Sequence, residues 1–175
     1  MSYFLKLTIA SLIIMLYSYN SFAELTISEA GDYTQFNVPI YALGMTVGKN
    51  DEEGAGQFLY AFLATQATVH GMKWLIDAER PDGSDCKSFP SGHAACAFSG
   101  ATFIHKRYGI EKAIVPYIFA SFTGYSRMHS NKHYFHDVAA GAMISAIFTW
   151  LFVSEYDNGM QISVDSDSVT LSFRF

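Results

Sequence analysis

The sequence predicts an all-α bundle of about five to six helices carrying a short β-like tail at its C-terminus. Three observations lead there. Long uncharged runs are separated by charged or turn-rich loops. Those runs are rich in Ala, Phe, Ile and Met and lack the strict alternation of half-buried strands, so helices are favoured. Only the last residues alternate apolar with polar.

Along the chain, Lys6 is the only charge before Glu24, and Leu7 to Tyr17 is apolar. A polar stretch then ends in Ser21-Phe22-Ala23, with small residues where a signal peptidase cuts. Residues 1–23 therefore read as a secretory signal or an uncleaved membrane anchor, and either exports the rest of the chain. The first run, Tyr33 to Gly48, stops at Lys49-Asn50-Asp51-Glu52-Glu53-Gly54. The second, Ala55 to Met72, leads into a loop from Arg80 to Pro90 built on Pro81, Asp82, Gly83 and Asp85, which is turn chemistry. Ser91 to Ile104 ends at His105-Lys106-Arg107; Ala113 to Tyr125 and Val138 to Val153 come next. Pro116 lies early in its run, where proline is tolerated. Met160, Ile162, Val164, then Val169, Leu171, Phe173 and Phe175 alternate around Asp165-Ser166-Asp167-Ser168, the pattern of a small hairpin or an extended tail. With no internal repeat or linker, residues 24–157 read as one bundle and 158–175 as its tail.

Composition narrows the partners. Hydrophobic residues make up 50% and charged residues 15%, with a net charge of -5. An acidic chain lacks the basic face a nucleic-acid partner requires, so none is expected. The mean hydropathy of +0.16 is high for a soluble domain and low for one that is nearly all membrane helix. The runs sit at or just short of the roughly 17 residues a bilayer span needs, so they either cross a membrane or pack as a compact bundle. If the N-terminal segment is a first span, alternation puts His105-Lys106-Arg107 and Lys112 on the cytoplasmic side and the Arg80, Pro90 and Arg127 regions together outside. Cys86 and Cys96 are too few for a disulfide scaffold; a single pair and two free thiols both fit. Oligomeric state is not encoded in any pattern here.

Three motifs carry chemistry. Lys73 and Arg80 are seven apart, two helical turns, and share a face if the helix extends that far. Pro90-Ser91-Gly92-His93 opens an uncharged helix, whose free N–H groups bind phosphate oxygens while Gly92 admits close approach. Ser91 there either caps the helix or donates its hydroxyl to an oxyanion. Ser126-Arg127, His133 and Asp137 form the third, with His133 and Asp137 spaced as neighbours on a helix. A carboxylate beside one imidazole nitrogen fixes the tautomer and leaves the other nitrogen free to attack.

Complete and in this order, Lys-x6-Arg-Pro, Pro-Ser-Gly-His and Ser-Arg-x5-His-x3-Asp closely resemble the type 2 phosphatidic acid phosphatase superfamily. That group includes lipid phosphate phosphatases, bacterial acid phosphatases and vanadium haloperoxidases. The resemblance covers roughly residues 55–153, and no motif position departs from it. It implies a helical bundle and a phosphatase that needs no metal or other cofactor. It makes His133 the nucleophile, Asp137 its orienting carboxylate and His93 the general acid and then base. Lys73, Arg80, Ser91, Gly92 and Arg127 would surround the phosphate oxygens. The substrate would be a lipid phosphate, an isoprenyl diphosphate or a small phosphomonoester, met by an exported protein either in the inner membrane with its site facing the periplasm or in the periplasm itself. Three rivals are weaker. A metal-dependent hydrolase using His129, His133 and His136 leaves Lys73, Arg80 and Arg127 without a role. Vanadate-dependent haloperoxidases are generally much longer, and a non-catalytic envelope protein would not need His93, His133 and Asp137 intact.

Overall fold

The computed structural model describes residues 26–156 together with the strands 160–165 and 168–173. Its elements are α1 (Ile27–Gly48), α2 (Glu52–Leu75), α3 (Gly92–Tyr108), α4 (Ile110–His129), α5 (Phe135–Phe152), β1 (Met160–Asp165) and β2 (Ser168–Phe173). The helical bundle and the tail hairpin are both as the sequence predicts; β1 and β2 pair antiparallel, with Met160 opposite Phe173 and Asp165 opposite Ser168. The signal or anchor assigned to residues 1–23 lies outside the described residues.

Each helix starts for a local reason. Thr26 and Glu29 form a reciprocal capping box: the Thr26 hydroxyl accepts from Glu29 N, and the Glu29 carboxylate accepts from Thr26 N at 2.9 Å. Asp51 caps α2 by accepting from Gly54 N at 2.9 Å, and Ser91 caps α3 through Ala94 N. Gly109, at φ 96°, ends α3 and begins α4 in a backbone conformation that suits glycine.

The bundle is organised around α3. Its residues Ala94, Ala95, Cys96, Ala97, Ser99, Gly100 and Ala101 are small and buried, so α1, α2, α4 and α5 all pack against it closely. At Gly141 a side-chain carbon would stand 2.5 Å from Ser91 O, so α5 touches the very start of α3. That contact fixes where Asp137, one turn earlier, stands relative to the Pro90–His93 motif. Toward the other end, Phe58, Phe103, Ile104, Tyr108 and Val153 close an apolar core.

Beneath that core Arg107 and Asp51 form a buried ion pair. Arg107 Nη2 donates to Asp51 Oδ1 at 2.6 Å and Nε to Oδ2 at 2.9 Å, while Tyr108 adds its hydroxyl at 2.7 Å. Burial alone raises the Asp51 carboxyl, but these hydrogen bonds and the guanidinium charge outweigh it and hold the group down at about 2.

Outward-facing residues are the opposite of what a water-soluble bundle presents. Ile40, Tyr41 and Val47 on α1, Leu59, Tyr60 and Leu63 on α2, Ile114, Ile118 and Phe119 on α4, and Met143, Ile147 and Leu151 on α5 are all exposed. Four helices thus share an apolar belt, far more than scattered surface leucines would explain. Of the described helices, α5 is the one both long and apolar enough to cross a membrane by length and hydropathy, and only 28% of it is buried.

Candidate active site

The site forms where the C-terminal end of α2 and the N-terminal end of α3 meet the 130–134 turn. After Leu75 the chain leaves the helix, so Lys73 and Arg80 do not share a helical face as their spacing predicts. The loop brings them together by a different route. Ala78 N donates to Cys86 O, Ser88 N to Ala78 O and Arg80 N to Asp85 O, folding residues 76–91 back on themselves. The Arg80 side chain is then set by Asp85, which accepts from Nε at 2.7 Å, and by Lys132 O. Lys73 Nζ donates to Lys87 O at 2.6 Å. A second clamp joins this loop to the turn that carries His133: Lys132 Nζ donates to Asp82 Oδ2 at 2.6 Å, and Asp82 N donates to Asn131 O. Hydrogen bonds from Lys132 and Ser84 hold the Asp82 carboxyl well below its usual range.

A cavity of about 460 Å³ at the far end of α3 lies nowhere near these motifs. The one that matters encloses about 380 Å³, with Lys73, Arg80, Gly92, His93 and His133 at its polar end. Five of the eight residues singled out by sequence thus line one space. Asp137 stands behind His133, fully buried. Ser91 is turned into the protein, capping α3 and donating its own N–H to Asp137 O at 3.0 Å, so its two sequence-level options resolve to the cap. Arg127 adjoins the cavity rather than lining it, because α1 covers it.

His133 and Asp137 also meet differently from the helical spacing. α5 begins only at Phe135, so His133 sits in the turn before it. Asp137 Oδ2 accepts from Tyr134 N at 2.8 Å, which bends the turn and presents the carboxylate to His133 Nδ1 at 3.5 Å. That separation is long for a hydrogen bond, and Ser88 fills the gap. Its hydroxyl donates to Asp137 Oδ2 at 2.5 Å and lies 3.5 Å from His133 Nδ1. The other carboxylate oxygen, Oδ1, is buried without a well-aligned donor, although His136 Nε2 is 3.1 Å away. With Nδ1 turned to Asp137, Nε2 is the nitrogen left to react. Burial, and after it the charges of Lys73 and Arg80, push the His133 pKa below the ordinary imidazole value, so the ring is neutral at pH 7.

On the opposite wall, Asp32 of α1 bridges two motif residues. Its Oδ1 lies 2.9 Å from His93 Nε2 and 2.8 Å from Arg127 Nη1. Ser28 takes Arg127 Nη2 through both its carbonyl and its hydroxyl, and Ser126 Oγ accepts from Nε at 3.2 Å. α1 reaches this deep because Gly31 has no side chain; a carbon there would stand 1.8 Å from Ser126 Oγ.

Three residues of the site escape sequence reasoning: Ser88, Ser28 and Asp32. Ser88 sits two positions before Pro90 and Asp32 is one of two charges in α1, yet no local spacing connects either to a histidine. The histidines around the turn do not gather into a ligand set. His129 stacks on Tyr125 and His136 on Tyr134, and the described residues contain no group of three or more His, Cys, Asp and Glu arranged to hold a metal. Cys86 is exposed and Cys96 buried, and they are not joined.

Comparison with known proteins points the same way. Residues 54–160 match the PAP2 superfamily. The lipid A 4'-phosphatase of Helicobacter pylori is 32% identical over 141 residues, covering 74% of this chain and 71% of that protein. The lipid A 1-phosphatase of Porphyromonas gingivalis is 36% identical over 106 residues, 57% of this chain but only 24% of that longer protein. Among solved structures, Aquifex aeolicus LpxE superposes with a TM-score of 0.59 at 24% identity, over 71% of this chain and 79% of that one, a likeness of fold.

Proposed function

The chain belongs to the PAP2 superfamily and is a phosphatase, and from that membership and the geometry around His133 we infer that it cleaves lipid phosphomonoesters through a phosphohistidine. The observation that carries this is a buried, neutral imidazole backed by Asp137 and facing a cavity that also holds Lys73, Arg80, His93 and the start of α3.

In the first step the His133 Nε2 lone pair attacks phosphorus, the bond to the leaving oxygen breaks, and His93 supplies the proton that oxygen needs. Asp137 and Ser88 hold the imidazole as it becomes cationic. In the second step water attacks the phosphohistidine, His93 takes a water proton, and the N–P bond breaks to release phosphate. Phosphoryl transfer is mostly positioning and charge stabilisation. Lys73, Arg80 and Arg127 with the α3 N-terminus supply four sources of positive potential, the role a metal ion would otherwise fill. Asp32 Oδ1, held between His93 and Arg127, occupies a place suited to a substrate oxygen, so substrate binding exchanges the carboxylate for phosphate.

The apolar belt supports a lipid substrate met at a membrane, as do the names of the relatives. Release of phosphate from lipid micelles in EDTA, compared with soluble sugar and nucleotide phosphates, tests both halves. Lipid hydrolysis that survives chelation is expected. Activity confined to soluble esters would remove the lipid reading, and activity restored only by metal would remove the phosphohistidine.

We further propose that the site faces the periplasm, with His105, Lys106, Arg107 and Lys112, at the end of the bundle opposite His93, on the cytoplasmic side. Cys86, exposed on the Arg80–Pro90 loop, is a native reporter. A membrane-impermeant maleimide added to intact spheroplasts is expected to label it. Labelling only after lysis would turn the protein the other way up.

A further inference from the structure

Each cation of the site is matched by oxygens of the chain itself. Lys73 faces Lys87 O and Ser88 O, Arg80 faces Asp85 and Lys132 O, and Arg127 faces Ser28, Ser126 and Asp32. Of these partners only Asp85 and Asp32 carry charge. Asp85 is fixed in its loop, since the oxygen that takes Arg80 Nε also accepts from Lys87 N at 2.7 Å. Asp32 has no such second anchor. Among the described residues its carboxylate touches only His93 and Arg127. Its side chain is 48% exposed, so it can turn out into water without being desolvated on the way.

Its place matters as much as its freedom. His93 lines the catalytic cavity, whereas Arg127 is 6% exposed and adjoins that space without lining it. One oxygen, Oδ1, stands 2.9 Å from His93 Nε2 and 2.8 Å from Arg127 Nη1. A phosphate oxygen that reaches both groups therefore has to take the position of Oδ1. Two anions that close repel each other, so carboxylate and phosphate exclude one another there.

We propose that Asp32 is a tethered competitor for the phosphate position, which keeps released inorganic phosphate from holding the enzyme. This rests on the phosphatase reading above and concerns the regulation of that same site. Three cations around one dianion would otherwise make the product a strong inhibitor. Competition weakens every phosphate by one factor, the reciprocal of the fraction of molecules whose carboxylate is turned away. An ester offsets that factor through contacts of its leaving group along Phe36 and Phe62, which line the same cavity. Free phosphate has no leaving group and makes no such contacts. The carboxylate thus separates substrate from product while touching only the phosphate end.

The test compares wild type with Asp32→Asn, which keeps the shape and loses the charge, using nitrophenyl phosphate in detergent with inorganic phosphate as inhibitor. A carboxylate seated in nine molecules of ten gives a factor of about ten, so the Ki for phosphate is expected to fall about tenfold in the variant. An Asp32 that only ties α1 to Arg127 would give a lower melting temperature and a Ki that holds or rises, and that result overturns the proposal. Loss of a nearby charge tightens phosphate even without exchange, so a second measurement uses wild type alone. With phosphate bound, its structure is expected to show Asp32 Oδ1 beyond hydrogen-bonding distance of both His93 Nε2 and Arg127 Nη1. A carboxylate still seated on both beside the phosphate overturns the proposal whatever the Ki. A folded wild type that binds phosphate in calorimetry yet hydrolyses no ester sinks the phosphatase reading, and the competitor's role with it. An unchanged Ki in an active variant sinks the role of Asp32 alone.

Discussion

His133→Ala is expected to lose at least about a thousandfold in kcat, and His93→Ala at least about a hundredfold. The two losses have different origins. Without the His133 imidazole no covalent intermediate forms, so rapid quenching into alkali should recover phosphate bound to the wild-type protein and none on His133→Ala. His93→Ala retains the nucleophile, and its defect should shrink on substrates whose leaving group needs no proton, such as a nitrophenyl ester. The pH profile supplies a further check. In the proposed mechanism His133 attacks only when neutral, and its pKa is lowered, so the acid limb of kcat/KM should lie below the ordinary imidazole range near pH 6.5. Lys73 is one of the charges that lower it. In Lys73→Met the His133 pKa therefore rises and the acid limb moves to higher pH. A limb that stays put would mean that some other group controls it.

The second large effect is on stability. Arg107→Ala leaves Asp51 buried with its strongest partner removed, and is expected to cost about 3–5 kcal/mol in a denaturant titration in detergent. Arg107→Met with Asp51→Leu removes both charges and should recover part of that loss, the remainder reflecting the Tyr108 hydroxyl and the Gly54 N–H that lose their acceptor. The pair also sets an acid limit. The folded pKa of Asp51, about 2, lies below the usual carboxylate value, so its contribution is complete above about pH 4 and disappears as pH falls through 2. Activity lost to acid above that window belongs to other groups. A double variant as unstable as Arg107→Ala would contradict this account of the pair.

What the sequence discloses and what it hides divide along physical lines. Helices were legible because each uncharged run is closed by charges, turns or glycine, and the hairpin because alternation is a local signal. The phosphate-end residues were legible because Lys73 to Arg80, Pro90 to His93 and Arg127 to Asp137 each lie within a few turns of chain. The route by which they meet was not. Helical spacing correctly paired Lys73 with Arg80 and His133 with Asp137, but the structure joins both pairs through loops, since α2 stops at Leu75 and α5 starts at Phe135. Asp32 was invisible for another reason. Asp32 meets His93 across 61 positions, and nothing near either residue signals the other.

The capping box at Thr26 bears on how Arg127 is held. Thr26 and Glu29 satisfy each other's backbone, so the first turn of α1 is closed by residues inside the segment from Thr26 onward. Two residues later that turn delivers Ser28 to Arg127, and one further turn delivers Asp32 to His93. The start of α1 is thus set by a pair of its own residues, and the hold of that helix on Arg127 begins with them.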